Sequence, residues 1–317
     1  MEANRKVYAI GETVLDIIFR DGSSAEACPG GSMLNSAVSL GRCGIPVEFI
    51  SDFGNDQAGK LIGDFLNGNK VSSRFSQRFD DGKTAIALAF LDPEKNASYS
   101  FYKDFPVHRL TQELPVPAEG DIVLFGSFFA VSDETHEKVL NFVRSAKQHH
   151  ALIIYDPNFR RPHLPDLEKM RPRILQNIAC ADIVRASDED MNLIFSVTNC
   201  DESYATVKAN GCQFLIYTRN KEGISIRSEH IRLEIKGEPL EAVSTIGAGD
   251  AFNAGLIFSI YSLELNKKML KNIEAGQLEK IAETARRFAS DVCMSMDNYI
   301  STDLVRNLLE EWRKYQN

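Results

Sequence analysis

Glycines and an acidic residue stand together before a helical pattern late in the chain, in the segment Ser244-Thr245-Ile246-Gly247-Ala248-Gly249-Asp250-Ala251-Phe252. Two glycines around an alanine leave the backbone amides at a helix start uncovered, and the helix dipole favours an anion there. Asp250, in the first turn, could take the proton of a hydroxyl that attacks a phosphoryl group held by these amides. The segment therefore predicts a phosphoryl-transfer site, although the same residues could simply cap a helix.

A second glycine cluster, Pro29-Gly30-Gly31-Ser32-Met33-Leu34-Asn35, opens another helical pattern. Paired glycines permit close approach to the backbone, and Asn35 offers a donor and an acceptor to a sugar diol. Asp16, just after the first apolar run, could accept hydrogen bonds from two hydroxyls. Each feature alone is also explained by a tight turn, an interior Asn or a solvated loop acid. Sugar binding is one of two interpretations at this point.

A third polar group, Asp156-Pro157-Asn158-Phe159-Arg160, follows an apolar run at residues 151–155. Ligands of parallel α/β folds bind at the carboxyl ends of the strands, which is where Arg160 is expected. Its guanidinium suits a phosphate or a carboxylate. Residues 54–61 match P-loop spacing, but Leu61 replaces the Ser or Thr that holds magnesium, so we do not expect a P-loop there.

Short apolar runs rich in β-branched residues alternate with helical patterns along most of the chain. The runs lie at residues 7–10, 47–51, 121–125, 151–155, 182–184 and 214–217. Amphipathic helices are predicted over residues 133–150 and 277–293, where apolar side chains recur at helical spacing. Because the runs are continuously apolar, we predict an α/β fold whose mostly parallel sheet is covered by helices on both faces.

Two stretches interrupt this alternation, at about residues 13–28 and 83–103. In the second, strand-like segments flank Asp92-Pro93-Glu94-Lys95-Asn96, which predicts a β-hairpin. Strands inserted at these places would form a small lid over the ligand edge of the sheet. No linker, internal repeat or low-complexity tract divides the chain, so residues 1–317 are predicted to form one domain with this lid.

The composition excludes several classes of protein. Of 317 residues 44% are hydrophobic, and 36 basic residues against 44 acidic ones give a net charge of −8, which disfavours nucleic-acid binding. No apolar stretch near the first residue is long enough for a signal peptide or a membrane span, so we predict a cytoplasmic protein that does not bind membranes. The six scattered cysteines form no zinc pattern and are expected to be free thiols.

Taken together, these segments resemble the ribokinase-like carbohydrate kinases, the phosphofructokinase-B group. Gly30-Gly31 with Asn35 is similar to the group's N-terminal sugar signature, and Thr245 with residues 247–250 is similar to its catalytic signature. The resemblance implies a three-layer α/β/α sandwich with a mostly parallel central sheet and a small β-sheet lid. It also implies homodimers that form through the lid.

The resemblance implies a kinase that transfers the γ-phosphoryl group of ATP, bound with Mg²⁺, to a small sugar. In this comparison Asp250 is the general base, and Gly247, Ala248 and Gly249 form the anion hole. The residues that the comparison places at the sugar are Asp16, Gly31, Asn35 and Arg160. Those that it places at ATP are Thr218, Gly223 and Ser187, with Asp190 near the metal.

Three departures from the group's pattern leave parts of this interpretation open. Ser244 replaces an Asp that helps to hold a monovalent cation, so activation by potassium is uncertain. Ser187-Asp188-Glu189-Asp190 stands in place of Asn-x-x-Glu, and Asn220 replaces a glycine in the nucleotide turn. We expect a fructose kinase. Ribose, 2-keto-3-deoxygluconate or a nucleoside remain alternative substrates, and a sugar-binding protein that has lost efficient catalysis is the alternative class.

Overall fold

The computed structural model describes residues 5–20, 23–91 and 97–316. The strands are β1 Val7–Ile10, β2 Val14–Arg20, β3 Ser23–Gly30, β4 Val47–Ile50, β5 Asp52–Gly54, β6 Val71–Ser72, β7 Gln77–Phe79, β8 Lys83–Leu91, β9 Ala97–Asp104, β10 Ile122–Gly126, β11 Leu152–Asp156, β12 Ile183–Ser187, β13 Leu215–Thr218, β14 Gly223–Arg227 and β15 Arg232–Lys236. The helices are α1 Ser32–Arg42, α2 Gln57–Gly68, α3 His136–Gln148, α4 Leu167–Cys180, α5 Asp188–Phe195, α6 Cys200–Ala209, α7 Ala248–Ser262, α8 Lys267–Lys271, α9 Ala275–Cys293 and α10 Thr302–Gln316. Every predicted strand and helix is present.

The main sheet of the described chain has the strand order β15-β14-β13-β12-β11-β10-β1-β4-β6. The pairs from β13 through β12, β11, β10, β1 and β4 to β6 are parallel, and only β14 and β15 add antiparallel strands at one edge. Parallel strands place their carboxyl ends along the same edge of the sheet. The residues that follow β1, β10, β11, β12 and β13 are therefore brought together there.

Both faces of this sheet are buried, as the continuous apolar runs predict. In β1, Val7 and Ala9 belong to the core shared with α1, α2 and α7 to α10. Tyr8 and Ile10 belong to the core shared with α3 to α6. Each Val or Ile side chain buried in this way stabilises the fold by roughly 1.5–3 kcal/mol. The predicted three-layer sandwich is confirmed.

A separate sheet with the order β3-β2-β8-β9, here called the small sheet, comes from the two stretches that interrupt the alternation. Strands β8 and β9 are antiparallel, as the predicted hairpin requires, while its turn at residues 92–96 lies outside the described residues. Asp16 of β2 is paired with Cys28 and Ala87. The predicted small β-sheet is therefore confirmed.

The segment with P-loop spacing has a structural role instead. Asp56 is the N-cap of α2 and accepts a hydrogen bond from the Gly59 amide at 2.8 Å. It also accepts hydrogen bonds from the Thr84 amide at 2.9 Å and the Thr84 hydroxyl at 2.7 Å. The segment thus fastens the start of α2 to the start of β8.

No helix in the described ranges is both long and apolar enough to cross a bilayer. The cytoplasmic location inferred from the sequence stays a prediction.

A buried ion pair ties the loop after β9 to β5, and its loss is expected to destabilise the fold. Arg109 donates to Asp52 at 2.6 and 2.9 Å, with side chains only 1% and 0% exposed. Arg109→Met leaves Asp52 charged and unpaired in the interior, so the free energy of unfolding should fall by about 3–5 kcal/mol. Denaturant melts measure this change. Arg109→Met/Asp52→Asn should recover most of it, and an unaltered melt of the single variant would contradict the assignment.

Candidate active site

The two glycine-rich segments meet at the start of helix α7. Its N-cap, Gly247, has a left-handed backbone with φ 80°, which leaves the following amides at the open end of the helix. Asp250 lies in the first turn and is buried. Asn35, from the first turn of α1, donates its side-chain amide to Asp250 Oδ2 at 2.9 Å, across 215 residues of sequence. The structure therefore brings the predicted base into contact with a predicted sugar residue.

The surroundings of Asp250 adjust its acidity. Burial raises its pKa from the ordinary 3.8 to about 6, while the Asn35 hydrogen bond and the charge of Arg160 oppose that rise. Arg160 itself is exposed and acts on Asp250 through its electric field. A carboxylate with a pKa near 6 is ionised at neutral pH and is a stronger proton acceptor than an ordinary Asp.

Arg185 of β12, which was not predicted from the sequence, packs directly behind Gly249. A Cβ atom on Gly249 would lie 2.8 Å from Arg185 Nη1, so a larger residue at this position would displace the guanidinium. Nη1 donates to Asp156 at 3.0 Å, and Nη2 donates to the Thr218 hydroxyl at 2.8 Å. Nε is buried with no hydrogen-bond partner among the described residues. A fixed cation thus stands behind the candidate anion hole.

Asp156 connects this cation to the helix that carries the base. Its side chain is 1% exposed and accepts hydrogen bonds from Arg185 and from Asn253 Nδ2, the latter at 2.6 Å. Its other oxygen accepts the Asn158 amide at 3.0 Å. Asn253 was also missed, and the available signal was a polar side chain in an apolar helix, one turn after Asp250.

The predicted sugar residues of the small sheet lie beside the second glycine pair. A Cβ atom on Gly30 would lie 2.0 Å from Asp16 Oδ2, so the carboxylate rests against a bare backbone. Gly31, the N-cap of α1, has φ 133°. Burial raises the pKa of Asp16 to about 7. When no ligand is bound, a fraction of Asp16 is therefore protonated at neutral pH and able to donate as well as accept.

The predicted nucleotide residues follow β12 and β13 along the same edge of the sheet. Thr218 is paired with Ser187 between these strands, and Gly223 begins β14. The Ser187 side chain caps α5 in a reciprocal arrangement with Asp190. Both carboxylate oxygens of Asp190 accept hydrogen bonds from the protein, at Phe159 N and at Ser187. The roles of Ser187 and Asp190 toward ATP and metal stay predictions.

An open groove of about 290 Å³ lies beside the carboxyl-terminal end of α9. Leu240, Arg286, Ser290 and Met294 line it, and the Leu240 and Met294 side chains are 44% and 55% exposed. The amides of Val243 and Ser244 donate to the Cys293 carbonyl, so the segment leading to Gly247 is fastened to the end of α9 beside the groove.

Within residues 5–20, 23–91 and 97–316, no three His, Cys, Asp or Glu side chains cluster as a metal site. Mg²⁺ keeps several waters and is usually held by one or two carboxylates together with substrate phosphates. Burial and the neighbouring Asp156 raise the pKa of Asp190, the carboxyl predicted to lie near that ion.

Comparison with protein families and characterised proteins gives a consistent result. The family model described as pfkB family carbohydrate kinase matches residues 4–300. The chain is 26% identical over 295 residues to a fructokinase of Rhizobium leguminosarum bv. trifolii, covering 90% of this chain and 86% of that protein. It is 24% identical over 262 residues to the aminoimidazole riboside kinase of Salmonella typhimurium, covering 82% of each chain.

Solved structures show the same fold. Aminoimidazole riboside kinase from Salmonella enterica, complexed with aminoimidazole riboside and an ATP analog, superposes with a TM-score of 0.82 at 20% identity, covering 96% of this chain and 100% of that chain. Fructokinase from Vibrio cholerae O395, with fructose, ADP and calcium, superposes with a TM-score of 0.82 at 18% identity, covering 97% and 100%. These similarities agree with the sheet order and the three layers described above.

Proposed function

This chain belongs to the pfkB family of carbohydrate kinases, and from that premise we propose that it transfers the γ-phosphoryl group of ATP to a hydroxyl of fructose. The observation that carries the proposal is the hydrogen bond between Asn35 and Asp250, which joins the two signature segments at the open end of α7. A fructokinase relative that aligns with 90% of the chain supports the choice of sugar.

In the proposed reaction, the reactive sugar hydroxyl donates a hydrogen bond to Asp250. As the hydroxyl oxygen attacks the γ-phosphorus, Asp250 takes its proton and ADP leaves. Asp250 Oδ2 is engaged by Asn35, so the carboxylate is held in a fixed orientation for this step. The remaining sugar atoms would be held by Asp16, Gly31 and Arg160. The Asp16 carboxylate can accept hydrogen bonds from two hydroxyls.

Charge on the transferred group would be stabilised by the amides of Gly247, Ala248 and Gly249, which lie at the positive end of the α7 dipole. Arg185, ion-paired with Asp156, places its guanidinium directly behind Gly249. Thr218 and Gly223 would bind the phosphate chain, and the groove at Leu240 and Met294 would take the base. Mg²⁺ bound with the nucleotide would neutralise phosphate charge, near Ser187 and Asp190.

A substrate panel tests this proposal. ADP release from MgATP is measured with fructose, ribose, 2-keto-3-deoxygluconate, aminoimidazole riboside and adenosine, with and without potassium. Fructose is expected to give the highest kcat/KM. Higher kcat/KM on another compound would replace fructose as the substrate. Thermal stabilisation by a sugar without ADP release under any combination would support the sugar-binding protein instead.

We also propose that the chain forms a homodimer through the small sheet. Ile17 is paired with Leu88 and Phe19 with Phe90, so these four side chains share one face, opposite to Asp16. The rings of Phe19 and Phe90 stack at 4.9 Å, and Phe90 is 43% exposed. An apolar face of this kind is typical of a protein interface.

Phe90→Asp is expected to convert the dimer to a monomer, because it would bury an unpaired charge at the interface. The dissociation constant should rise by about a hundredfold or more. Light scattering after size exclusion measures the mass. Met269→Asp, at an apolar residue of α8 that is 47% exposed, is the control and should not change it. A wild-type monomer, or a Phe90→Asp dimer of unchanged affinity, would contradict this interface.

A further inference from the structure

An ion pair joins the small sheet to the carboxyl edge of the main sheet. Glu12 follows β1, Lys103 lies near the end of β9, and their Oε2 and Nζ atoms are 2.9 Å apart. The two side chains are 16% and 29% exposed, so the pair is largely shielded from water. A pair in such surroundings is screened less by salt than one on the surface.

The backbone of Glu12 borders Gly31, one of the predicted sugar residues. The Glu12 carbonyl oxygen lies 2.3 Å from the position that a Cβ atom on Gly31 would take. On the other side, Lys103 Nζ lies 5.5 Å and 5.1 Å from the ring centres of Phe101 and Phe128. The ammonium group is thus enclosed by a carboxylate and aromatic faces.

Glu12 retains an acceptor that no donor of the described residues satisfies. Its Oε1 atom is buried without a hydrogen bond. The nearest cation to it, Arg109 Nη1 at 3.6 Å, belongs to a guanidinium that is already bound to Asp52 through two hydrogen bonds. Glu12 therefore keeps acceptor capacity beside the site after it has neutralised Lys103.

The charges around the sugar position follow from these contacts. Lys103, a cation suited to a substrate carboxylate, is already paired with Glu12. Arg160 is exposed, and its charge opposes the rise in the pKa of Asp250. Each of the two cations thus has a carboxylate near it, Glu12 for Lys103 and Asp250 for Arg160. Asp16 adds a further acidic group. A substrate carboxylate would have to displace Glu12 from Lys103, whereas hydroxyl groups would meet hydrogen-bond acceptors.

We propose that Glu12 is a specificity-determining residue that restricts the site to neutral polyhydroxy sugars and excludes sugar acids. It does so by neutralising Lys103, the cation that would otherwise be available to a substrate carboxylate. This inference rests on the proposed function, because it assumes that the sugar binds between Asp16, Gly31 and Asp250.

Glu12→Gln tests the proposal because glutamine has nearly the same shape and no charge. Binding of fructose and of 2-keto-3-deoxygluconate is measured by calorimetry without nucleotide. We expect the affinity for the acid, relative to fructose, to rise by about tenfold, because Lys103 becomes available to the carboxylate. Glu12→Gln/Lys103→Met should lose that gain. Thermal melts verify that each variant is folded.

Glu48→Gln is the matched control, since Glu48 is also a shielded glutamate paired with a lysine and an arginine, Lys6 at 3.4 Å and Arg74 at 2.6 Å. It should leave the affinity ratio unchanged.

Lys103→Met alone should not weaken binding of the acid. A tenfold loss of affinity in this variant would show that Lys103 already binds the acid in the wild type, and it would overturn the proposal. An unchanged ratio in Glu12→Gln, while the wild type phosphorylates fructose, would also overturn it and leave the kinase function intact. Absence of turnover on every sugar would instead count against the proposed function.

Discussion

Asp250→Asn is expected to lower kcat by about 10²–10⁴-fold while the protein stays folded. Asparagine has the shape of aspartate but cannot take the proton of the attacking hydroxyl. The Asn35 side chain, 2.9 Å from Asp250 Oδ2, can still donate to an amide oxygen at the same place. ADP release at saturating MgATP and sugar measures the loss. A variant that keeps the wild-type rate would exclude Asp250 as the base.

The same variant should be as stable as the wild type or more stable. Raising the pKa of a carboxyl from 3.8 to about 6 means that ionising it costs the folded state on the order of 3 kcal/mol. For an acid with a raised pKa, this cost is absent below pH 3.8, grows as the pH rises, and is complete above about pH 6. Asp250→Asn removes the cost at pH 7. A large fall in melting temperature would show that Asp250 mainly supports the fold.

The ionisation of Asp250 also predicts the pH dependence of catalysis. Only the deprotonated carboxylate can accept a proton, so kcat/KM should rise with pH through about 6, the pKa of the free enzyme. Wild-type initial rates across this range provide the profile, with the coupling enzymes in excess at every pH. A profile that is flat through pH 6 would contradict the assigned base.

Arg185→Met is expected to have the second largest effect, because it removes the cation behind Gly249 and the donor that orients Thr218. Loss of charge stabilisation at the transferred group should lower kcat by about 10²–10³-fold. It also leaves Asp156, 1% exposed, without its ion-pair partner. The free energy of unfolding should therefore fall by about 3–5 kcal/mol.

A double variant separates these two effects. Arg185→Met/Asp156→Asn removes both buried charges, so stability should largely return while kcat stays low. Arg227→Met provides the control, since Arg227 is also a buried arginine in an ion pair. In the sheet it lies opposite Leu215, at the end of β13 away from Thr218. Its kcat should match the wild type. Recovery of kcat in the double variant would show that Arg185 acts on the fold alone.

The sequence predicted the elements whose pattern is local. Continuous apolar runs identified the parallel strands, because these strands are buried on both faces. Helical spacing of apolar residues identified α3 and α9, because these helices are buried on one face. The edge strand β15 does not match a continuous apolar run, because its polar and apolar residues alternate and only Ile235 of the five is buried. Burial of an edge strand depends on the elements that happen to cover it.

The candidate site residues that were predicted also lie in local sequence patterns. Asp250 and Asn35 stand in recognisable local segments, whereas Arg185 and Asn253 acquire their roles only through Asp156, which lies 29 and 97 residues away from them. Glu12 likewise meets Lys103 across 91 residues. Contacts of this kind follow from the order of strands in the sheet, which a single sequence does not state.

The most direct measurement is mass spectrometry of the sugar after incubation with MgATP, alongside ADP, for the wild type and Asp250→Asn. The central claim is that the group around Asp250 transfers a phosphoryl group from ATP to a sugar hydroxyl. It predicts that the wild type produces fructose phosphate and ADP in equal amounts, and that the variant produces almost none of either. ADP formed without phosphorylated sugar, or equal product from both proteins, would contradict it.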